Sequence, residues 1–159
     1  MIASQPLPWH HPGVLVATGL GLGYLRPAPG TWGSLLGLPL ALGLSRLAWP
    51  WAMLAGAALL PLAFWACRCG AAHFGEKDAG GIVIDEIVAV PLAAAPLWLG
   101  APALWTLPVA LGLFRLFDIA KPGPVGWLDR RGDTLGVLGD DLVAGLIAGG
   151  LGLAAFAWV

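Results

Sequence analysis

The chain has 159 residues, of which 58% are hydrophobic and only 11% are charged, and its formal net charge is −1 at pH 7. Soluble domains are usually about 45–50% apolar and about 25% charged, so this composition excludes an ordinary soluble domain. Eight basic residues offset by nine acidic ones also argue against a nucleic-acid partner, because binding a phosphate backbone needs a basic surface. We therefore expect the partner to be lipid.

Uncharged stretches separated by Gly and Pro predict an all-α fold, a polytopic membrane helical bundle that forms one domain over residues 1–159. Five crossings are predicted, at 33–47, 51–67, 82–99, 103–117 and 141–159. The apolar stretch 82–117 is divided by a turn at 100–102, because one helix of that length would span about 54 Å against a hydrocarbon core of about 30 Å. Residues 14–25 are short and glycine-rich, so we expect an interfacial or re-entrant segment there.

The basic residues gather in loops on one side of this predicted bundle, which the positive-inside rule makes the cytoplasmic side. They are Arg26, Arg68, Lys77, Arg115, Lys121, Arg130 and Arg131, and only Arg46 falls on the other side. The same topology places all nine acidic residues on that face or just beneath it. We expect the chemistry at one membrane surface. The first 25 residues lack the Lys and Arg of a secretory signal, so the N-terminus is expected to stay in the mature protein.

The thiols and imidazoles do not predict a site. Cys67 and Cys69 have no second pair that would complete a zinc site, and we interpret them as small buried apolar residues. His10, His11 and His73 have no spacing that indicates a metal triad.

Asp85 and Glu86 lie in GGIVIDEIVAV, a few residues into an apolar stretch. An unpaired carboxylate at such a position costs at least a few kcal/mol. A favourable helix dipole typically returns only about 0.3–1 kcal/mol at an exposed helix end, which does not cover the cost of both acids. The pair therefore favours a functional role.

Further carboxylates precede or begin other predicted crossings. Asp78 comes before the third crossing, and Asp140 and Asp141 are expected to start the last one, where helix capping is the alternative interpretation. Adjacent residues on a helix project about 100° apart, so one acid of each pair could face the bundle interior. Carboxylates from two helices could then share Mg²⁺, which prefers oxygen ligands and is usually held by one or two carboxylates with substrate phosphate oxygens.

Cationic residues end the fourth predicted crossing, in FRLFDIAKPGP. Arg115, Asp118 and Lys121 are spaced so that they drift around one side of a helix. One interpretation is internal ion pairing at the helix C-terminus before Pro122 stops the helix. The functional one is that Arg115 or Lys121 binds phosphate while Asp118 orients it or helps to bind metal.

A glycine-rich turn precedes the first crossing, in PAPGTWGS. Thr31 is a natural helix N-cap there, and backbone N–H groups at a helix start can bind an anion. The earlier run GLGLG follows no strand, so close helix packing is the better interpretation than a phosphate loop.

Together, PAPGTWGS, KD followed by IVIDEIV, FRLFDIAKPGPVGWLDR and GVLGDDLVAG resemble the phosphatidylglycerophosphatase A family, from about residue 19 to residue 145. The resemblance implies Mg²⁺-dependent hydrolysis of the terminal phosphate of phosphatidylglycerophosphate at the cytoplasmic side of a bacterial inner membrane. The positions that match its motifs are Asp78, Asp85, Glu86, Arg115, Asp118, Lys121, Asp129, Arg130, Asp140 and Asp141. Two departures stand out: Ala89 replaces an expected glycine, and Asp133-Thr134 replace an expected Gly-Gly.

The resulting hypothesis assigns the catalytic role to Asp85, Glu86, Asp118 and Asp141, substrate binding to Thr31, Arg115, Lys121 and Arg130, and the metal to Asp78, Asp85, Glu86, Asp140 and Asp141. Asp118 could act as a general base, and a mechanism through a covalent phosphoaspartate intermediate is the alternative. The alternatives are a small proton- or cation-coupled transporter and a structural membrane subunit. A transporter should distribute ionisable groups along a crossing route, whereas here they cluster at one face.

Overall fold

The structure, a computed structural model, describes residues 6–96 and 106–156, and within these ranges the regular elements are helical, as predicted. The α-helices are α1 Pro12–Ala17, α2 Pro29–Ser45, α3 Trp49–Phe74, α4 Ile84–Ala93, α5 Thr106–Ala120, α6 Pro124–Asp129 and α7 Thr134–Phe156, and a 3-10 turn lies at Leu22–Tyr24.

Two of these helices are long and apolar enough to cross a membrane, Trp49–Phe74 and Thr134–Ala155. The helices at the other three predicted crossings are shorter. At about 1.5 Å per residue, the 17 residues of α2 reach about 26 Å and the 10 residues of α4 about 15 Å, less than a hydrocarbon core of about 30 Å. Five crossings therefore stay a prediction, and the predicted turn at 100–102 lies outside the described residues.

Helix α4 lies between α2 and α7 because glycines on both neighbours allow close approach. A Cβ atom on Gly37 of α2 would lie 2.6 Å from Val90 Cβ, and one on Gly149 of α7 would lie 2.2 Å from the Leu92 carbonyl oxygen. Small residues at the contact between helices are typical of tightly packed membrane helices. Ala89, at a predicted departure, is fully buried in this contact.

The N-terminal segment packs on α3 and on the start of α4. Gly13 lies so close to Cys69 that a Cβ atom would meet its Sγ at 2.4 Å, and Val83 N donates to the Ala17 carbonyl at 2.8 Å. Gly23 approaches Gly81 equally closely, since a Cβ atom there would lie 2.0 Å from the Gly81 oxygen. These contacts support the packing interpretation of the GLGLG run.

The cysteines are free thiols, and both are buried, as predicted. His73 also serves the fold: its Nδ1 is 2.6 Å from the Leu7 carbonyl oxygen and its Nε2 is 3.0 Å from the Tyr24 hydroxyl. A carbonyl only accepts, so Nδ1 carries a proton and donates to Leu7.

Candidate active site

One end of the bundle holds a polar cavity of about 280 Å³ into which most of the predicted site residues converge. It is built from the start of α2, the loop before α4, the first turn of α4, the end of α5 and the second turn of α7. The charged residues that line it are Asp78, Asp85, Glu86, Arg115, Asp118, Lys121, Asp140 and Asp141. Residues from four separate sequence motifs therefore share one cavity.

Asp85 and Glu86 enter the cavity from the first turn of α4, where the sequence predicted a costly carboxylate pair. Asp85 is 5% exposed, and its Oδ1 accepts from the Glu86 backbone N–H at 3.1 Å. Glu86 Oε1 accepts from Arg115 Nη1 at 3.0 Å, whereas Oε2 is buried and receives no hydrogen bond from any described residue. Glu86 thus presents one satisfied and one unsatisfied oxygen.

Gly30 on α2 leaves space for the Glu86 carboxylate. A Cβ atom at residue 30 would lie 1.9 Å from Glu86 Oε1, and one at Gly33 would lie 2.8 Å from Oε2. The sequence analysis assigned no site role to these glycines. Their i, i+3 spacing in PAPGTWGS was the available signal, but the neighbour that needs the space belongs to another helix.

Arg115 binds two carboxylates at once. Its Nη1 donates to Glu86 Oε1 and, at 2.6 Å, to Asp118 Oδ2 one turn along α5. The predicted internal ion pair therefore exists, and the contact with Glu86 also ties α5 to α4. The ion-pairing interpretation is therefore confirmed, whereas phosphate binding by Arg115 or Lys121 stays a prediction.

Lys121 follows the end of α5 and joins two further elements. It adopts a left-handed backbone conformation with φ 46°, and its Nζ donates to Asp129 of α6 and to Asp140 of α7, the latter at 3.1 Å. Partial burial opposes its charge, yet these two hydrogen bonds raise the pKa of Lys121 above its ordinary value. Asp129 matched a motif but was not predicted as a site residue, and it positions this lysine.

Asp140 and Asp141 do not start α7, so the prediction of their position and the helix-cap alternative were wrong. Helix α7 begins at Thr134, and the Gly136 backbone N–H donates to Asp133 Oδ1 at 2.8 Å, which makes Asp133 the cap. The two acids therefore lie within the helix, 5% and 6% exposed. The departure at Asp133-Thr134 provides this capping residue.

Thr31 and Arg130 are predicted binding residues that do not line the cavity. Thr31 is exposed and does not cap α2, because the helix begins at Pro29 and its N-cap is Ala28. Arg130 is exposed at the end of α6.

The carboxylates of the cavity are not arranged as the coordination shell of a metal ion. Over the described ranges, no group of three or more His, Cys, Asp or Glu side chains is placed to hold a metal ion. Because the acids share a cavity without forming such a group, their side chains would have to rotate to bind a cation among them.

Comparison with known proteins gives one consistent family. The sequence profile of phosphatidylglycerophosphatase A matches residues 15–156. The chain is 39% identical to the phosphatidylglycerophosphatase A of Haemophilus influenzae over 84% of this chain and 82% of the relative, and 34% identical to that of Escherichia coli over 91% and 81%. A relative from Bacteroides thetaiotaomicron, 36% identical over 84% and 86%, carries the provisional name phosphatidylinositol-3-phosphatase. No solved structure matches the chain.

Proposed function

We propose that this chain, which belongs to the phosphatidylglycerophosphatase A family, hydrolyses the terminal phosphate monoester of phosphatidylglycerophosphate in a Mg²⁺-dependent reaction that yields phosphatidylglycerol and phosphate. The family is one of phosphoric monoester hydrolases. Its members' names supply the substrate, and the cavity at the start of α4 is the site we assign to the reaction.

The charge of that cavity is the observation that carries the proposal. Among the described residues, its lining includes the six carboxyl groups of Asp78, Asp85, Glu86, Asp118, Asp140 and Asp141 but only two cationic side chains. Both cations are already paired, Arg115 with two carboxylates and Lys121 with two. A phosphate monoester carries up to two negative charges, so it would be repelled from this cavity unless a further cation entered with it.

The donor set fits Mg²⁺. The ion prefers oxygen ligands, retains waters and commonly bridges one or two protein carboxylates and phosphate oxygens. Glu86 Oε2 is a buried acceptor that no described residue satisfies, which costs free energy unless a cation or proton occupies the position. We assign the metal to Asp85, Glu86 and Asp141, with Asp78 and Asp140 as further ligands.

Bound Mg²⁺ would offset phosphate charge and lower the pKa of an attacking water. The protein's own contribution is to hold the phosphate with Arg115 and Lys121, which requires each cation to exchange a carboxylate contact for a phosphate oxygen. Asp118 Oδ2 is 2.6 Å from Arg115 Nη1, so a phosphate bound by Arg115 would lie near this carboxylate, which we assign as base towards water or as nucleophile. With Asp118 as base, water loses a proton to the carboxylate and its oxygen bonds to phosphorus, the phosphorus–oxygen ester bond breaks, and the leaving glycerol oxygen takes up that proton. With Asp118 as nucleophile, its oxygen bonds to phosphorus as the ester bond breaks, the glycerol oxygen takes a proton from solvent, and water then hydrolyses the phosphoaspartate to release phosphate.

We further propose a multi-pass arrangement in a bacterial inner membrane, with this cavity on the cytoplasmic face. The two long apolar helices and the concentration of carboxylates at one end of the bundle support it. In that arrangement the acyl chains remain in lipid while the headgroup enters the cavity from the interface.

The transporter alternative is not favoured, because the relatives are named as phosphatases and the acids share one cavity instead of following a route across the bundle. A different phosphorylated lipid is the nearer rival, since one relative is named for phosphatidylinositol 3-phosphate. That lipid also carries a phosphate monoester on a polyol headgroup.

The test is phosphate release from phosphatidylglycerophosphate by the full chain in detergent, with and without Mg²⁺, compared with Asp85→Asn and Asp141→Asn. We expect Mg²⁺-dependent release from the wild type and a loss of at least about 100-fold in either variant. Asp133→Asn is the matched control, because it removes a carboxylate outside the cavity. Phosphatidylinositol 3-phosphate is assayed in parallel, and faster release from that lipid would overturn the substrate assignment. Release that is equal with and without Mg²⁺ would overturn the metal assignment.

A further inference from the structure

A second cavity adjoins the first one. It has a volume of about 660 Å³ and shares four wall residues with the acidic cavity: Ala28, Pro29, Ala79 and Gly80. These residues belong to the chain entering α2 and to the loop before α4. The two cavities therefore lie next to each other along this part of the chain.

The second cavity differs from the acidic cavity in the charge of its lining. Arg26 is the cationic residue among its described lining, and Glu76 is the acidic one. The ion pairs among the described residues involve Arg115, Lys121 and Arg131 but not Arg26. Arg26 is exposed, so an anion can reach its guanidinium. Because Arg26 forms no ion pair with a described residue, it need not break a carboxylate contact to bind that anion.

The walls give this cavity a mixed character. Tyr24 and Phe74 lie on one side with their ring centroids 5.8 Å apart, and the Tyr24 hydroxyl is held by His73. An amphipathic lining with one guanidinium suits a group that joins an anion to apolar chains better than it suits a free phosphate ion.

The proposed substrate carries two phosphates separated by one glycerol unit. The terminal monoester is the group to be hydrolysed, and the inner phosphate is a diester that links the headgroup to the diacylglycerol. With the monoester among the carboxylates, the diester phosphate must lie nearby on the lipid side of the headgroup. The second cavity shares wall residues with the acidic one, so it is near enough to receive this group, and it offers a cation that forms no ion pair with any described residue.

We propose that Arg26 binds the diester phosphate of the lipid substrate in the cavity next to the acidic one, and thereby strengthens binding of the headgroup. This inference rests on the proposed function, because it assumes a phospholipid whose monoester occupies the acidic cavity. Arg26 is a substrate-binding residue, since it contacts the diester and not the reacting phosphorus. Its contribution is to substrate binding and not to the chemical step.

The experiment measures phosphatidylglycerophosphate hydrolysis in mixed micelles by wild type, Arg26→Gln, Arg26→Lys and Arg68→Gln. We expect Arg26→Gln to raise KM about tenfold with kcat within about twofold of the wild type, and Arg26→Lys to restore much of the loss. Arg68→Gln is the control, because it removes an exposed arginine on the same predicted face, outside both cavities. An equal rise of KM in Arg68→Gln would show a surface-charge effect and overturn the proposal.

Two inhibitors separate the phosphate sites. Phosphatidylglycerol has the diester but no monoester, so its inhibition constant should rise about tenfold in Arg26→Gln. Inorganic phosphate should compete only in the acidic cavity, so its inhibition constant should not change. Weaker inhibition by both would place Arg26 at the monoester and overturn the assignment.

Direct binding of phosphatidylglycerol to the full chain in detergent distinguishes the two failures. If the wild type releases no phosphate, the proposed function fails. The diester site is then tested by binding alone: about tenfold weaker phosphatidylglycerol binding in Arg26→Gln would support it, and unchanged binding would refute it. Active wild type with unchanged KM and unchanged lipid binding in Arg26→Gln would refute the inference alone.

Discussion

Gly30 of α2 and Glu86 of α4 lie so close that a Cβ atom on residue 30 would be 1.9 Å from Glu86 Oε1. The same Cβ atom would be 3.2 Å from Arg115 Nη1, so a side chain here would disturb the ion pair that joins α4 to α5. The absence of a side chain at residue 30 therefore fixes where the Glu86 carboxylate can lie in the acidic cavity.

Gly30→Ala is expected to separate activity from stability. The clashing atoms are the far end of a flexible side chain, so Glu86 can rotate away and the helices need not part. A displacement of about 1 Å at a catalytic group can cost about 100-fold in rate, so we expect a loss of that order in phosphate release with little change in the thermal midpoint. Gly43→Ala on the same helix is the control, because a Cβ atom there meets nothing within 4 Å. Full activity in Gly30→Ala would contradict the assigned position of Glu86.

Lys121 should remain charged over the whole pH range of an activity profile. Its folded pKa is raised above the unfolded value of about 10.4, so the stabilisation from its ion pairs is fully present below that pH and is lost only as pH rises through the higher folded pKa. We therefore expect Lys121→Met to lose activity at every pH from 6 to 9, about tenfold or more.

Lys121→Arg keeps the positive charge and is the matched control for that variant. It should retain part of the activity and show the same alkaline limb as the wild type in the pH profile of kcat/KM. An alkaline limb that moves in Lys121→Arg would show that the lysine itself titrates in this range, contrary to the geometry.

The contact of α7 with α4 gives a test of packing that does not involve the site. A Cβ atom on Gly149 would lie 2.2 Å from the Leu92 carbonyl oxygen, whereas one on the adjacent Gly150 would meet nothing within 4 Å. Backbone cannot rotate away as a side chain can, so Gly149→Ala should destabilise the protein by about 1–3 kcal/mol. Gly150→Ala should be neutral or slightly stabilising, because alanine favours a helix. Thermal unfolding in detergent measures both, and equal midpoints would contradict the close approach.

Asp85 and Glu86 could be predicted from the sequence because a carboxylate within an apolar stretch is costly, which favours a functional role. Asp141 was predicted as an acid at a helix start and as a motif position, and all three acids share a cavity with Arg115 and Lys121. The all-helical class followed equally from uncharged length and the spacing of Gly and Pro.

The start of α7 could not be predicted from hydropathy, because its first turns, from Thr134, follow a charged segment and look like loop. Asp133 starts the helix two turns earlier by capping it, which buries Asp140 and Asp141 within a helix and not at its end. The need for glycine at residue 30 also escaped prediction, because its partner Glu86 is 56 residues away in sequence and only the tertiary fold brings them together.

Asp133 makes two contacts that can be separated by substitution. Its Oδ1 accepts from the Gly136 backbone N–H, and both its oxygens accept from the Arg131 guanidinium, at 3.2 and 2.9 Å. The hydrogen bond from Arg131, with that from Gly136, holds the pKa of Asp133 below its ordinary value.

Because the folded pKa of Asp133 lies below the unfolded value of about 3.9, the stabilisation is fully present above that pH and is lost as pH falls through the folded pKa.

Asp133→Ala removes both cap and charge, so we expect the thermal midpoint at pH 7 to fall by about 2–4 °C. Asp133→Asn keeps a good capping oxygen and loses only the exposed ion pair, which contributes little, so its midpoint should stay close to the wild type at pH 7. Thermal scans at pH 7 and pH 3 measure both variants, and the difference between wild type and Asp133→Asn should shrink at the lower pH. An Asp133→Asn midpoint as low as that of Asp133→Ala would show that the charge, and not the cap, starts α7.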